Sequence, residues 1–506
     1  MLPLFRPEQV RAMDERAFGR GVDPLALMER AAGHLARAIL AAGGRGYGLR
    51  VALLCGKGNN GGDGIAAARR LRAAGAAPVV CLVAGEEGLS HDAAVQLARW
   101  RALGGRVTDS VHAALTGADV AVDCLLGTGA RGEPRSPYRE AIAALDEARA
   151  GGAAVVACDI PSGVDADTGA VADVAVRADV TVTLGAHKRG LWLWPARRHC
   201  GRIVLGDLGI VDSDDAEVAR VLEPADVAAL VPPPAPDSHK RSRGVVVVVA
   251  GSPGMTGAAA LVARGAMGAG AGLVTVASSP AALARVAPVV PEALTAALPD
   301  DDPDAAFAAL GGLLARADAV AIGPGLGHAE TTVALVRRLV REVEVPIVLD
   351  ADGLNAFRGD GDALADHRAP LLVVTPHAGE LARLVRGSAS AAAEVTAQRV
   401  TLVPEKAAAW RAVVVAKGPG TLVAAPDGRV WINPTGTAAL ASGGTGDVLT
   451  GITSALVAQR AEADSVAAAV WLHGRAGQLA GSGRAARAVT ALDVVARLHA
   501  VLEELD

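Results

Sequence analysis

Glycine-rich turns close short apolar runs at ten points along this chain, and that repetition constrains its fold more than any other feature. Between the runs lie alanine-rich helical stretches such as IAAARRLRAAG and YREAIAALDEARAGG. Such alternation predicts βαβ units on a mostly parallel sheet, an α/β fold. In the first half the predicted strands are Val51–Cys55, Pro78–Val83, Asp119–Cys124, Ala153–Cys158, Asp179–Leu184 and Arg202–Leu205. Ahead of them, Pro7–Ala42 reads as two helices broken near GRGVDP, and the run ARRLR reads as a solvated helix face. The second half restarts with Gly244–Ala250, followed by Gly272–Ala277, Ala319–Ile322, Pro346–Leu349, Pro370–Val374 and Ala412–Ala416. Leu422–Ala425 and Arg429–Ile432 flank APDG, a hairpin signal that adds a small antiparallel piece. Between the halves, the proline cluster of Glu223–Arg243 lacks any apolar period and marks the domain boundary. The expected division is residues 1–220, a Rossmann-like parallel-sheet domain, and residues 221–506, a second α/β domain.

Composition removes several classes of function. Apolar residues at 51% and charged residues at 20% supply an ordinary globular core. A net charge of −5 leaves no basic excess for nucleic acid or a membrane surface, and 2% aromatics leave few side chains on which bases stack. The cysteines, Cys55, Cys81, Cys124, Cys158 and Cys200, are odd in number and form no C-x-x-C pair, which reads as reduced, buried thiols in a cytoplasmic protein. The N-terminal stretch meets charge too early for a signal peptide. The long uncharged stretches 244–263 and 265–284 are broken by Gly, Ser or Pro, so no membrane span is expected.

Lysine is scarce. Of the five, Lys57 and Lys417 lie in glycine-rich turns, Lys188 follows a strand and Lys240 opens the second half; Lys406 alone reads as helix surface. In open parallel sheets ligands bind at the carboxyl ends of strands. The turns expected there are CGKGNNGGDG, DCLLGTGARGE, CDIPSGVD and GAHKRG in the first half. In the second they are AGSPGMTGAA, IGPGLG, LDADGLN, TPHAGE, AKGPGT and SGGTGD. Glycine there lets backbone N–H groups approach an anion, and a following helix N-terminus adds positive potential. GKGNNG and GTGARG both match G-x-G-x-x-G, so that pattern alone does not discriminate. No Walker sequence, H-E-x-x-H or Cys/His cluster occurs. In SGGTGDVLTGI, small residues open a helix whose free amides suit a phosphate or a developing negative charge. Asp447 then falls in the first turn, either as a partner of the helix dipole or as the base for a hydroxyl being phosphorylated. Lys417 in KGPGT stands ready for nucleotide phosphate.

Together these motifs resemble a known family. The second half resembles the ADP-dependent NAD(P)H-hydrate dehydratases of the ribokinase-like superfamily through His239–Lys240, VVAGSPGMTGAA, IGPGLG, LDADGLN, TPHAGEL, KGPGT and GGTGD, across nearly all of Lys240–Val494. The first half resembles the NAD(P)H-hydrate epimerases through LMERA (Leu27–Ala31), GNNGGDG, DCLLGTGARGE, DIPSGVDADTG and the lysine of GAHKRG. In this order the match is to the fused, bifunctional nicotinamide nucleotide repair enzymes. Ala32 stands where the family often has Gly, and Arg241 where HKG is usual.

The resemblance implies the following. The first domain epimerises the R and S hydrates of NADH and NADPH, and the second dehydrates the S form using ADP and Mg²⁺. Asn59, Asn60, Gly61, Gly62, Asp63, Gly127, Thr128, Gly129, Ala130, Arg131, Gly132, Glu133 and Asp159 match hydrate-binding positions of the epimerases. Asn60, Asp123 and Ser162 match a potassium site, and oxygen ligands of that kind suit a hard cation. Asp159 is the expected acid/base, with Lys188 as its helper; the alternative for Asp159 is a cap on the DIPSG turn. Ala258, Gly325 and His377 match hydrate-binding positions of the dehydratases, with Asp447 as base. Lys417, Gly418, Pro419, Gly420, Thr421 and Gly446 match adenine-nucleotide positions. The partners expected are these small-molecule hydrates and further copies of the same chain, with neither nucleic acid nor membrane. Competing readings are a ribokinase-like small-molecule kinase fused to a Rossmann-like ligand-binding domain, a Rossmann dehydrogenase using GKGNNG and Glu86, and a non-enzymatic scaffold.

Overall fold

The computed structural model describes residues 1–212 and 216–506. They form two compact units, Pro3–Ala219 and Arg220–Asp506, the latter including Met1–Leu2.

Seven parallel strands build the sheet of the first unit: β1 (Arg50–Cys55), β2 (Ala77–Leu82), β3 (Arg106–Thr108), β4 (Val120–Cys124), β5 (Ala154–Cys158), β6 (Val180–Leu184) and β7 (Arg202–Gly206). Their spatial order is β3-β2-β1-β4-β5-β6-β7. Both faces are covered, which is why the strands read as continuous apolar runs rather than alternating ones. Val51, Leu53 and Cys55 join the core under helices Pro24–Gly43 and Asn59–Ala73. Ala52 and Leu54 join the core under helix Tyr138–Ala150. The strand order reverses between β1 and β4, and their carboxyl ends form the crevice in which such sheets bind ligands.

In the second unit β8 (Val245–Val249), β9 (Leu273–Ser278), β10 (Leu294–Ala297), β11 (Ala319–Ile322), β12 (Ile347–Leu349), β13 (Leu372–Val374) and β14 (Val413–Ala416) pair in parallel. Antiparallel β15 (Leu422–Ala424) and β16 (Val430–Ile432) extend the sheet beyond β14. The order is β16-β15-β14-β13-β12-β11-β8-β9-β10. Helix Thr445–Gln459 packs closely on helix Thr256–Gly268. A Cβ at Gly451 would lie 2.1 Å from the Val262 carbonyl oxygen, and one at Gly265 would lie 2.5 Å from that of Val448. Glycine at this crossing is what seats the helix that carries Asp447.

Both units therefore have the parallel α/β architecture predicted, with the antiparallel addition where APDG places it. The predicted strands recur with ends displaced by at most two residues. Among the described residues four short strands went unpredicted: β3 and β10 at sheet edges, and the three-residue strands Leu2–Leu4 and Ala219–Val221; β10 is largely exposed, and none is long enough to carry an apolar signature. In the ARRLR segment Arg70 and Arg72 are exposed, as the solvated-face reading expects; Arg69 is the correction, being partly buried and donating to Glu29 and Gln96, which clamps helix Asn59–Ala73 to helices Pro24–Gly43 and His91–Ala102. Lys406 is also less exposed than expected, with its ammonium 3.5 Å from Glu405. All five cysteines are free and buried. Among the described residues no helix is long and apolar enough to cross a membrane.

Candidate active sites

In the first unit the turns after β1 and β4 fold tightly against each other. A Cβ at Gly56 would lie 1.9 Å from the Leu125 carbonyl oxygen, and one at Gly61 would lie 2.0 Å from that of Gly56. Helix Asn59–Ala73 begins after Gly58 with no side-chain cap, so its first amides are left for a ligand. Above this turn is a cavity of about 710 Å³, lined by Asn59, Asn60, Asp63, Gly127, Thr128, Gly129, Ala130, Asp159 and Lys188. The remaining predicted residues stand outside its lining. Gly62 packs on Met28, Arg131 pairs with Asp165 at 3.1 Å, and Glu133 accepts from the Asp173 amide at 3.0 Å. Gly132 has φ +73, a left-handed turn conformation.

Asp159 does not cap its own DIPSG turn. It has φ +66, its amide donates to the Val182 carbonyl at 2.8 Å, and its Oδ1 accepts from the Leu184 amide at 3.0 Å. The same oxygen lies 2.5 Å from Lys188 Nζ. Lys188, 1% exposed, also donates to the Leu184 carbonyl at 2.6 Å. A non-glycine residue in the left-handed region is strained, and the strain here aims a carboxylate into the cavity.

Asp123, Ser162 and Asn60 converge beneath it. Asp123 accepts from Ser162 N and Oγ, each at 2.7 Å, and from Leu125 N at 3.1 Å. Burial pushes its carboxyl up to about 6 despite these bonds. Ser162 Oγ accepts from Leu126 N at 3.0 Å, and Asn60 Nδ2 donates to Leu126 O at 3.0 Å. Asn60 Oδ1 is buried with no hydrogen-bond partner. An orphaned amide oxygen beside a buried carboxylate is a donor set that a hard cation satisfies.

In the second unit the turns after β8 and β11 meet. Gly325 has φ +67, and a Cβ there would lie 2.8 Å from the Met255 carbonyl oxygen and 3.0 Å from Ala258 Cβ. The predicted hydrate residues Ala258 and Gly325 are thus neighbours. His377 caps helix Ala378–Arg386, its Nδ1 accepting from Gly379 N at 3.0 Å and Glu380 N at 3.2 Å. Glu380 returns a bond from His377 N at 2.8 Å. A parallel bridge sets His377 beside Lys417, at the end of β14.

Lys417 is held by carboxylates. Its Nζ lies 2.6 Å from Asp350 Oδ1 and 3.8 Å from Glu380 Oε2. Asp350, 1% exposed at the end of β12, also accepts from Thr450 Oγ1 at 2.7 Å. Thr450 sits one turn beyond Gly446 and Asp447 on helix Thr445–Gln459, which no side chain caps. Burial pushes Asp447 up to about 6; the charges of Asp350, Asp352 and Glu380 add to this, and Lys417 opposes it. A Cβ on Gly446 would lie 3.5 Å from Lys417 Nζ, so the two predicted nucleotide residues adjoin. In the following loop Gly418 and Gly420 have positive φ, Thr421 Oγ1 donates to the Gly418 carbonyl at 3.0 Å, and Arg399 holds the Pro419 carbonyl at 3.0 Å.

Residues 24–190 match the family profile of the YjeF-related protein N-terminus, and residues 246–499 that of NAD(P)H-hydrate dehydratase. A bifunctional NAD(P)H-hydrate repair enzyme from Moorella thermoacetica is 39% identical over 474 residues, covering 90% of this chain and 88% of that one. The chain belongs to the bifunctional NAD(P)H-hydrate repair enzyme family. The Escherichia coli member of that family is 34% identical, covering 89% of this chain and 84% of its own. A Bacillus subtilis ADP/ATP-dependent NAD(P)H-hydrate dehydratase, co-crystallised with ATP and Mg²⁺, is 30% identical with a TM-score of 0.49. It covers 57% of this chain and 99% of that one.

For this member of the repair-enzyme family, sequence reasoning left Asp350, Glu380 and Thr450 without roles. The first two lie in LDADGLN and TPHAGE, turns already placed at strand ends; Thr450 lies one helical turn after Gly446, and that spacing was the available signal. Asp14, which also lines the first cavity, lies on helix Pro7–Gly19 in no glycine-rich turn. Glu86, needed by the dehydrogenase reading, is engaged by Arg101 at the surface.

Proposed function

We propose that the first unit interconverts the R and S hydrates of NADH and NADPH, and that the second converts the S hydrate to the dinucleotide at the expense of ADP. Asp447 is the observation that carries this reading: a half-buried carboxylate whose raised proton affinity suits a general base, in the first turn of an uncapped helix, beside Lys417. It takes the proton of the hydrate's C6 hydroxyl while that oxygen attacks the terminal phosphorus of ADP and the bond to the remaining AMP breaks. The helix amides around Gly444–Gly446 stabilise the charge on the transferred group. Hydroxide is a poor leaving group and phosphate a good one, so the ring-nitrogen lone pair expels phosphate; loss of the C5 proton then restores the double bond. Ala258, Gly325 and His377 form the hydrate side of this site, and Lys417–Thr421 with Gly446 the nucleotide side. Mg²⁺ accompanies the nucleotide phosphates and supplies charge neutralisation there.

In the first unit Asp159, paired with Lys188, is the acid/base group, and Asn59–Asp63 and Gly127–Ala130 hold the hydrate. Asn60, Asp123 and Ser162 would hold K⁺, which supplies a fixed positive charge under the site; the unpartnered Asn60 oxygen supports this. The buried, free cysteines accord with a reducing, cytoplasmic setting.

A mixture of R and S hydrates, incubated with the chain, Mg²⁺ and ADP or ATP, tests the reading through the absorbance of the reduced nicotinamide. Full nucleotide-dependent recovery, faster than spontaneous epimerisation, is expected. A plateau at the S fraction would overturn the epimerase half. No recovery with either nucleotide would overturn the dehydratase half in favour of a small-molecule kinase.

A further inference from the structure

Lysine is scarce in this chain, and Lys57 has no part in the chemistry above although it lies in the first glycine-rich turn. It follows β1, between Gly56 and Gly58, and the turn is pinned there: the Lys57 carbonyl accepts from the Ser90 amide at 2.8 Å. The side chain is half-buried and lines the first cavity. Its ammonium lies against the turn that carries Gly88, where an added Cβ would be 3.8 Å from Nζ. Among the described residues that ammonium has no hydrogen bond and no carboxylate within 4.0 Å.

This isolation contrasts with the charge around it. Asp14, Glu15, Asp63, Asp92 and Asp159 all line the same cavity. A lysine placed to neutralise the wall would pair with one of them, and Lys57 pairs with none. Lys188 does: it is 1% exposed and is committed to Asp159 at 2.5 Å. Arg11, the remaining cation of the lining, is exposed on helix Pro7–Gly19. Lys57 is therefore the half-buried cation that the cavity leaves for a ligand. The hydrate of a dinucleotide asks for one. It carries a pyrophosphate, and in NADPH hydrate a further phosphate, which a wall of carboxyls repels. A compact ammonium on a flexible stem suits a phosphate oxygen as a point charge.

We propose that Lys57 is a phosphate-binding residue of the first cavity, holding a phosphate of the hydrate while Asp159 and Lys188 face its nicotinamide end. The proposal rests on the epimerase reading above and adds the part of the substrate that is recognised away from the reacting carbon. No bond is made or broken at Lys57. It stabilises the bound substrate and the transition state alike, so its loss falls on KM and leaves kcat in place.

The test compares wild type, Lys57→Met and Lys57→Arg, each in the full chain, by chromatographic separation of the R and S forms. Four R hydrates are used: those of reduced nicotinamide riboside, which has no phosphate, of reduced nicotinamide mononucleotide, of NADH and of NADPH. Wild type should prefer phosphorylated hydrates to the riboside hydrate. Lys57→Met should lower kcat/KM for a phosphorylated hydrate by about 10- to 100-fold, through KM. It should leave the riboside hydrate unchanged, which also reports that the first unit is folded. The smallest hydrate affected identifies the phosphate. An effect from the mononucleotide upward marks the phosphate on the nicotinamide ribose, one from NADH upward the adenylate phosphate, and one on NADPH hydrate alone the 2′-phosphate. If Lys57→Met does not fold, Lys57→Arg decides: a retained preference for phosphorylated hydrates supports the proposal, and a lost preference overturns it. Wild-type KM for every phosphorylated hydrate in Lys57→Met, or an equal loss with the riboside hydrate in a folded chain, would also overturn it. A wild-type chain that epimerises none of the four would overturn the epimerase reading itself, whatever Lys57 does.

Discussion

Replacing Asp350 with asparagine, and separately Lys417 with methionine, perturbs Asp447 in opposite directions. A general base works ionised, so with Asp447 near 6 about half the enzyme is competent at pH 6 and about nine-tenths at pH 7. Asp350 raises the proton affinity of Asp447 and Lys417 lowers it. Asp350→Asn should therefore move the acid limb of kcat to lower pH, and Lys417→Met to higher pH. The two also differ in stability. Asparagine can still accept the Thr450 hydroxyl, and Lys417 retains Glu380 at 3.8 Å. Methionine at 417 leaves the Asp350 carboxylate buried with Thr450 alone, which costs about 3–5 kcal/mol. In a unit of this size that lowers Tm by roughly 5–8 °C. The assay is dehydration of S hydrate at saturating hydrate and nucleotide between pH 5 and pH 9, run below the Tm of the weaker variant. Saturation separates the limb from any loss of nucleotide affinity at Lys417. If both limbs stay at the wild-type position, or both move the same way, the cluster does not tune Asp447 and its assignment as base loses its electrostatic support.

Asp447→Asn should abolish nucleotide-dependent repair while leaving nucleotide binding, measured by calorimetry, largely intact; retained turnover would remove Asp447 as base. Asp159→Ala should block use of the R hydrate and leave S-hydrate turnover unchanged; equal loss with both epimers would contradict the division of labour. Replacing K⁺ by tetramethylammonium, a larger cation whose methyl groups keep oxygen ligands at a distance, should slow epimerisation more than dehydration. Equal effects on the two reactions would count against the ion site.

How much of this was legible in the sequence depends on whether a contact is local. Central strands such as Val120–Cys124 and Val245–Val249 are buried on both faces and announce themselves as unbroken apolar runs. Edge strands such as Arg106–Thr108 have no such demand and left no trace. Glycine-rich turns were readable because close backbone approach permits nothing larger, as at Gly56 and Gly61. The partners that set proton affinity were not readable. Lys417 meets Asp350 across 67 residues, and Thr450 meets it across 100. The fold itself produces this difficulty. A parallel sheet brings every strand's carboxyl end to one edge, so residues from distant turns become neighbours whatever their spacing in the chain. Motif spacing therefore nominates the turns, while the strand order decides which of them share a charge. Asp14 is the limiting case: a helix residue outside those turns, which only the topology sets on the same cavity wall as Asp63, Asp159 and Lys188.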